Sequence, residues 1–459
     1  MTELKNFDKT PEASDIAHHF HGYTDARRHQ EVGPMIIESG QGIYVTDNSG
    51  KRYIEGLSGL WSVGVGFQED RLINAATKQL KQLPYYHNFG HKSHQAAIAL
   101  SDQLVELAHV PMSKVFYTNS GSEANDTVLK MVWYRSNALG KPEKKKVIAR
   151  TRGYHGVTIA SASLTGLPNN HRSFDLPIDR VLHTTAPHYW KEGRDGETEE
   201  QFATRCANDL EALIQKEGPE TVAAFWAEPV MGAGGVVVPP KTYFEKIQAV
   251  LAKYDIIFVA DEVICGFGRT GEMFGSITYD IRPDVIVMSK QITSSYVPFS
   301  AIMMNDRFYQ PLADESHSIG TFGHGFTGGG HPLGAAVALE NIAVIRERDL
   351  VANAREIGTH FLQRLETLKD SSLIGEVRGV GLISAIELVN DKATKSVSTV
   401  GKLGGLMNAA MQRNGLISRN MADAVAFCPP LIITMAQADE MFEIIAKSLR
   451  EVESEIGAA

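Results

Sequence analysis

Short apolar runs recur through the middle of the chain and predict the strands of a buried sheet. The runs are KVFYT, KVIAR, TVAAFWAE, DIIFVADEV, DVIVMSK and SAIMMN, between residues 114 and 305. Apolar and polar residues do not alternate within them, so both faces of each strand are expected to be covered. Helical segments separate the runs. This alternation is typical of an α/β fold with a mostly parallel sheet between helices.

The pattern changes on both sides of this region. GIYVT and KRYIEG flank the turn residues 47–50, which predicts a hairpin. After Gly334, long helical stretches at 334–347 and 349–368 precede the strand-like GLISAIEL and AVAFCPP. We therefore predict three segments: an N-terminal arm with part of a small domain (1–70), a large domain (71–333) and a smaller α+β domain (334–459).

The first 35 residues are polar and rich in histidine. They include His18, His19, His21 and His29, and we predict an irregular arm with one short helix. Histidine-rich tracts can bind metal, but adjacent positions on a helix point in different directions. An ordinary arm is therefore favoured, and we expect no metal site.

Composition and charge exclude several classes of protein. Of 459 residues, 43% are apolar and 22% are charged, which excludes wholesale disorder. The net charge of −9 argues against a general binder of nucleic acid or anionic membrane. Cys206, Cys265 and Cys428 lack the short spacing of a zinc site and do not suggest a disulfide framework. The N-terminus has no apolar leader, and no run of about 20 apolar residues occurs. We expect a cytoplasmic protein.

Two groups of polar residues follow predicted strands. After KVFYT, residues 119–122 (Asn-Ser-Gly-Ser) precede a predicted helix, and free amides and hydroxyls at a helix N-terminus suit a phosphate. A simple helix cap is the alternative. Asp261 and Glu262 end DIIFVADEV, where a buried carboxylate needs a donor such as a protonated pyridine nitrogen. A neighbouring loop amide would also serve.

Two further groups of residues also follow predicted strands. Lys290 follows the apolar run DVIVMS, and a desolvated lysine there suits Schiff-base chemistry, although a solvated strand edge is the simpler reading. Residues 152–156 (Arg-Gly-Tyr-His-Gly) follow KVIAR and place an aromatic ring between two glycines, either to face a flat ligand or to pack. Together these groups are the parts that a pyridoxal phosphate enzyme requires.

At this point the sequence resembles the class III aminotransferases of fold type I, and most closely the ω-amine:pyruvate branch. The resemblance covers about 55 to 435. Its motifs are NSGSEAND at 119–126, GYHG at 153–156, AEPV at 227–230, DEVICGFGRTG at 261–271, SK at 289–290, GFTGGGHP at 325–332 and PPLIIT at 429–434.

The resemblance implies a role for each matching residue. Lys290 would bond covalently to the cofactor and then shuttle a proton, and Asp261 would hold the pyridine nitrogen protonated. Tyr154 and Val263 would cover the two ring faces. The other residues expected at the cofactor are the phosphate-binding Ser120, Gly121 and Ser122, the neighbouring His155 and Glu228, and Phe326 and Thr327. Thr327 would reach the phosphate of the neighbouring subunit, which implies a homodimer; whether dimers pair further is left open.

The resemblance also implies a substrate pocket. Trp61 would line it, with Phe20, Phe89 and Tyr154 completing the wall and Phe326 coming from the partner. Arg419 would pair with the carboxylate of a keto acid and swing away for apolar amines. Alternatively, Trp61 would be an ordinary core residue and Arg419 an ordinary surface residue.

Three departures from the family pattern bear on substrate scope. Gln291 and Ile292 follow the lysine in place of a glycine and an aliphatic residue, Met231 follows AEPV, and Gly328 follows Thr327. Met231 is expected to contact substrate. At Gly328 we expect a roomier pocket.

The sequence thus predicts a homodimeric transaminase. It would move an amino group from a primary ω-amine, with (S) preference, to a keto acid such as pyruvate through pyridoxamine phosphate. The alternatives are a taurine- or β-alanine-specific transaminase, or a decarboxylase, aminomutase or phospho-lyase of the same fold. A dinucleotide-dependent oxidoreductase is disfavoured because no GxGxxG follows a strand with an acidic residue about 20 positions on.

Overall fold

A seven-stranded sheet forms the centre of the molecule, seen here in a computed structural model that describes residues 10–457. Six strands run in one direction, and the strand Ser300–Met304 is antiparallel to both of its neighbours. The predicted mostly parallel sheet is therefore confirmed. Across the sheet the order is Lys114–Thr118, Ser300–Met304, Val285–Met288, Ile257–Asp261, Val222–Ala227, Lys146–Arg150 and Val181–Thr184.

Apolar side chains on both faces explain why these segments form inner strands. Every residue of Val222–Ala227, Ile257–Asp261 and Val285–Met288 is buried. Phe225 packs into one apolar cluster, whereas the next residue, Trp226, packs into another on the opposite face. The strand Val181–Thr184 has the sequence VLHT, and it lacked a predictive pattern because two of its four residues are polar.

Helices cover both faces of the sheet and continue to the C-terminal end. The predicted stretches after Gly334 correspond to Pro332–Glu347 and Leu350–Glu366. The remaining α-helices are Pro11–His18, Ala26–Val32, Ser58–Trp61, Asp70–Gln82, Gln95–Leu107, Gly121–Ala138, Ile159–Leu164, Tyr189–Glu192, Glu199–Glu217, Tyr243–Lys253, Gly275–Thr278, Asp306–Ile319, Lys402–Arg413 and Met435–Ile456. Single 3₁₀ turns occur at Pro168–Asn170, Pro219–Thr221, Lys290–Ile292 and Thr367–Asp370.

Two four-stranded sheets flank the central one. The predicted hairpin is confirmed as Tyr44–Asp47 and Arg52–Glu55, and Leu416–Ile417 pairs in parallel with its second strand. Segments from both ends of the sequence therefore share one sheet. The strands are Ile37–Gln41, Tyr44–Asp47, Arg52–Glu55 and Leu416–Ile417 in one sheet, and Ile374–Val380, Ile383–Leu388, Ala424–Phe427 and Arg419–Met421 in the other.

The N-terminal prediction lies partly outside what the structure describes. Residues 1–9, on which the expectation of no apolar leader depends, are not among the described residues. Among helices within 10–457, each is too short or too polar to cross a bilayer.

Candidate active site

The four predicted groups meet in one cavity at the carboxyl ends of the central strands. The strands ending at Asp261 and Met288 are neighbours, and the helix Gly121–Ala138 begins beside them. Ligand sites in such sheets lie at this edge. The cavity has a volume of about 220 Å³. Its lining residues are Ser120, Gly121, Ser122, Asn125, Tyr154, His155, Gly156, Glu228, Asp261, Val263, Ile264, Ser289 and Lys290.

Asp261 is buried, and hydrogen bonds hold its carboxylate in one orientation. Its Oδ2 accepts from Asn125 Nδ2 at 2.9 Å and pairs with His155 Nδ1 at 2.8 Å, and its Oδ1 accepts from the Val263 amide at 3.1 Å. An ionised carboxylate offers about four acceptor positions. These three bonds therefore leave one position for a donor in the cavity.

Lys290 is held at the exit of the strand Val285–Met288. Its φ of 47° lies in the left-handed region, which is costly for a residue with a side chain. Burial lowers the pKa of its ammonium group, while the carboxylates of Asp261 and Glu228 oppose that shift. A lowered pKa leaves more of the amine neutral and able to act as a nucleophile or base.

Gln291 fixes the backbone that follows the lysine. Its side chain is fully buried, and its Nε2 donates to the carbonyls of Gly266 and Phe267 while its Oε1 accepts from Arg269 at 3.1 Å. The sequence departure at 291 thus ties the lysine segment to the GFGR loop of residues 266–269.

Hydroxyls and amides surround the start of the Gly121–Ala138 helix. Ser120 caps the helix by accepting from the Glu123 amide at 3.2 Å, and Ser122 Oγ accepts from the Val157 amide at 3.1 Å. Gly156 has a φ of 134°, and a Cβ there would lie 2.6 Å from Ser122 Oγ, so only glycine fits. The helix dipole and the free N–H groups make this end a site for an anion.

Glu228 positions the loop that carries the predicted aromatic residue. Its two carboxylate oxygens accept from the amides of Tyr154 and Gly232, each at 3.0 Å. Burial raises the pKa of Glu228. Burial also raises the pKa of the Tyr154 hydroxyl, and the nearby Tyr23 adds to that shift.

Tyr23 and Arg419 lie near Tyr154, on the side of the cavity where we expect the substrate; we call this the substrate side. The guanidinium carbon of Arg419 lies 5.8 Å from the ring centroid of Tyr23. The positive charge of Arg419 lowers the pKa of both Tyr154 and Lys290, which places it near the cavity. Trp61 is buried in an apolar cluster that includes the cavity residue Ile264, and its φ is 63°.

Phe20, Phe89 and Met231, like Trp61 and Arg419, are not among the residues that line this cavity in the described chain. Phe20 is 84% exposed in the turn after the first helix, and Tyr23 instead approaches Arg419. Phe89 is 49% exposed and lines a different cavity. Met231 is fully buried against Ala186 and Val237, because it pairs with Val237 in an isolated bridge that turns its side chain into the core.

Gly328 packs closely against Asn119, and the expected roomier substrate pocket there stays a prediction. A Cβ at this position would lie 2.7 Å from Asn119 Oδ1, which is closer than side chains tolerate. Asn119 precedes the phosphate loop and donates to Glu123 Oε2 through both its amide and its side chain. Gly328 therefore allows close packing against this loop.

Phe326 and Thr327 stand apart from the Lys290 cavity of their own chain. Phe326 lines a second cavity of about 690 Å³ together with Phe89, and Thr327 is exposed. A role for both residues in a neighbouring subunit stays a prediction.

Sequence reasoning missed two residues at the site. Asn125 holds Asp261 and also donates to the His155 carbonyl at 2.8 Å. It lies one helical turn after Gly121 in NSGSEAND, and a buried polar residue on a sheet-facing helix was the available signal. Tyr23 had no such signal, because its contact with Arg419 joins positions almost 400 apart in sequence.

The lining residues fit pyridoxal phosphate. The anion site at Ser120–Ser122 suits the phosphate, the open acceptor position of Asp261 suits a protonated ring nitrogen, and the amine of Lys290 suits an aldehyde. In addition, His155 Nε2 is buried without a hydrogen-bond partner among the described residues.

Comparisons with known proteins agree with this fit. The family model described as Aminotransferase class-III matches residues 24–449. Gamma aminobutyrate transaminase 1, mitochondrial, from Solanum lycopersicum is 48% identical over 436 residues, which cover 95% of this chain and 85% of that protein. The omega transaminase from Pseudomonas jessenii in complex with PMP is 55% identical with a TM-score of 0.97, covering 98% of this chain and 99% of that one. A transaminase solved with L-ala is 64% identical with a TM-score of 0.91, covering 92% of this chain and all of that one. The chain therefore belongs to the class III aminotransferases, which are pyridoxal-phosphate-dependent enzymes of fold type I.

Proposed function

We propose that this aminotransferase takes the amino group from a primary ω-amine, with preference for the (S) form, and transfers it to pyruvate. When bound, the cofactor carries the amino group between the two half-reactions and withdraws electrons from the reacting carbon. The observation that carries the proposed specificity is the placement of a single guanidinium, that of Arg419, beside Tyr23 and Tyr154 on the substrate side.

Each residue of the cavity has a separate proposed role. Lys290 supplies an amine whose lowered pKa lets it take a proton from the substrate carbon and return it. Asp261, oriented by Asn125 and His155, would accept a hydrogen bond from the ring nitrogen. Ser120, Gly121 and Ser122 would bind the phosphate, and Tyr154 and Val263 would cover the ring.

Arg419 supports acceptance of a keto acid. A guanidinium can bind a carboxylate through two parallel hydrogen bonds. An amine donor without a carboxylate offers no such partner, and we expect it to pack on Ile264, the residue through which the apolar cluster of Trp61 reaches the cavity. Similarity to an omega transaminase from Pseudomonas jessenii and to a transaminase solved with L-ala, the product expected from pyruvate, supports this assignment.

A second candidate donor is γ-aminobutyrate. The relative from Solanum lycopersicum bears that activity in its name and is 48% identical. In this case Arg419 would bind the donor carboxylate in one half-reaction and the acceptor carboxylate in the other.

A donor and acceptor panel separates the two candidates. We expect kcat/KM for an (S)-arylalkylamine with pyruvate to exceed the values for its (R) form, for γ-aminobutyrate, β-alanine and taurine, and for 2-oxoglutarate as acceptor. Arg419→Gln should lower kcat/KM for pyruvate by about tenfold or more and leave that for the amine nearly unchanged. Arg413→Gln, at an exposed arginine, is the control. Higher kcat/KM with γ-aminobutyrate than with the arylalkylamine would replace the first candidate by the second.

A further inference from the structure

Three histidines of the N-terminal arm converge on one aspartate. Asp15 Oδ1 lies 2.8 Å from His21 Nε2 and 2.9 Å from His29 Nε2, and Asp15 Oδ2 lies 3.1 Å from His19 Nδ1. These residues come from the first helix, the turn after it and the second helix. These histidines therefore converge and do not point apart as they would on one helix, because the chain reverses between them.

The two helices of the arm are short and lack a buried apolar face. The helices Pro11–His18 and Ala26–Val32 have eight and seven residues, and neither contains a buried residue. Helices of this length are unstable alone in water, since stability comes from packing an apolar face. Small elements without an apolar core are commonly stabilised by a metal ion.

We propose that Asp15, His19, His21 and His29 form a site for one divalent transition-metal ion, with Zn²⁺ as its simplest occupant. Three imidazoles and a carboxylate are a ligand set that Zn²⁺ takes in tetrahedral geometry. Ligand atoms around Zn²⁺ at the usual bond lengths lie ~3.4 Å apart. The ligand atoms of Asp15, His19 and His21 lie within 4.8 Å of one another, and His29 Nε2 lies 2.9 Å from Asp15 Oδ1. A rearrangement that opens the Asp15 contacts and brings His29 closer to the other two histidines would admit the ion.

The charge state of the cluster also suits a cation. An aspartate side chain is ionised at neutral pH, so Asp15 offers a negative charge to a cation.

A second group of side chains with metal-ligating atoms close together does not suit a cation. The group consists of His188, Glu376 and Glu387, and Arg378 donates to Glu376 at 2.5 Å and to Glu387 at 2.6 Å. A guanidinium already neutralises both carboxylates there. No cationic side chain has an ion pair with Asp15 other than its histidines, among the residues for which ion pairs are described.

The position of the proposed metal site links metal binding to the substrate side of the active site. His21 precedes Tyr23 by two residues, and Tyr23 contacts Arg419. An ion that fixes His21 would thus fix the segment that brings Tyr23 to the substrate side.

Metal binding to the holoenzyme, prepared without a polyhistidine tag and stripped with a chelator, tests the proposal. Competition with a chromogenic chelator should give one Zn²⁺ per chain, and Co²⁺ should give the intense visible bands of a tetrahedral site. His21→Ala and His29→Ala should each weaken Zn²⁺ binding by about tenfold or more. His18→Ala, at an exposed histidine of the helix that carries Asp15, should bind as the wild type does.

Circular dichroism of each variant shows whether the fold is intact. Because His19 is 65% exposed, His19→Ala offers a second removal with little effect on packing, and it should also abolish the tetrahedral Co²⁺ spectrum. Failure of the wild type to bind Zn²⁺ would overturn the proposal. So would binding that is equally tight in His21→Ala, because the ion would then lie elsewhere, for example at the cofactor.

Discussion

The backbone conformation of Lys290 and the burial of its side chain both cost free energy. A non-glycine residue at a φ of 47° costs about 1–3 kcal/mol, and a buried amine loses hydration. Gln291 and the loop of residues 266–269 keep the lysine in place through hydrogen bonds. Strain that surrounding structure maintains is typical of a functional position.

Replacement of this amine gives the first prediction. Lys290→Ala should reduce kcat by several orders of magnitude, because no other group at the cavity can take its place as the transferring base. Removing a side chain that is costly to bury should leave the melting temperature close to that of the wild type. Lys241→Ala, at an exposed lysine, should have normal kcat. Substantial transamination by Lys290→Ala would show that the proposed role of this residue is wrong.

Glu55 gives a prediction about pH and stability. Its side chain is 6% exposed, and burial raises its pKa from 4.5 to about 7. Between these values the folded protein keeps a proton that the unfolded chain has released. Stability therefore falls as the pH rises through this window, and the difference in pKa corresponds to ~3 kcal/mol at most.

Glu55→Gln removes this ionisation but keeps an acceptor for the Leu57 amide, which donates to Glu55 at 3.0 Å. Between about pH 5 and about pH 8, the variant should lose less unfolding free energy than the wild type, as measured by urea denaturation. Glu38→Gln, at an exposed glutamate on the strand Ile37–Gln41, should follow the wild type. Equal pH dependence in Glu55→Gln would mean that Glu55 is already ionised in the folded protein at about pH 5.

At the scale of elements, the pattern of apolar residues predicted the strands of the central sheet. All six apolar runs became strands of the central sheet, because a strand covered on both faces must be apolar along its length. The motifs at strand ends located Asp261 and Lys290 for the same reason: parallel strands bring their carboxyl ends to one edge. Phe20 and Met231 do not line the Lys290 cavity of their own chain; loop positions have no such periodicity, and their side-chain directions depend on tertiary contacts.

The glycine-rich segment before the helix Pro332–Glu347 gives a prediction at this scale. Gly328→Ala would push Asn119 away and weaken its bond to Glu123, which costs about 1 kcal/mol. Retention of pyridoxal phosphate should fall roughly fivefold, as measured by cofactor release on dilution. Gly323→Ala is the matched control, because a Cβ there has no atom within 4 Å. Equal release from the two variants would show that close packing at Gly328 does not support the phosphate loop.

At the scale of the whole molecule, we propose that a second copy of the chain completes the site. Phe326 lines a cavity separate from that of Lys290, and Thr327 is exposed. In a dimer with two-fold symmetry, each such surface meets the same surface of the other subunit, so both sites would be completed in the same way. Thr327 of each chain would then serve the phosphate bound by the partner.

Mixed dimers test this arrangement. Thr327→Asp should place a negative charge against the phosphate and weaken cofactor binding, and Lys290→Ala should be inactive, so both homodimers should be poor enzymes. A heterodimer of the two variants combines both defects in one site and leaves the other site with an intact Lys290 and an intact Thr327. Purified through two different tags, it should recover half of the activity of a wild-type dimer. If Thr327 instead served its own chain, each site of the heterodimer would carry one defect, and activity would stay as low as in the parents.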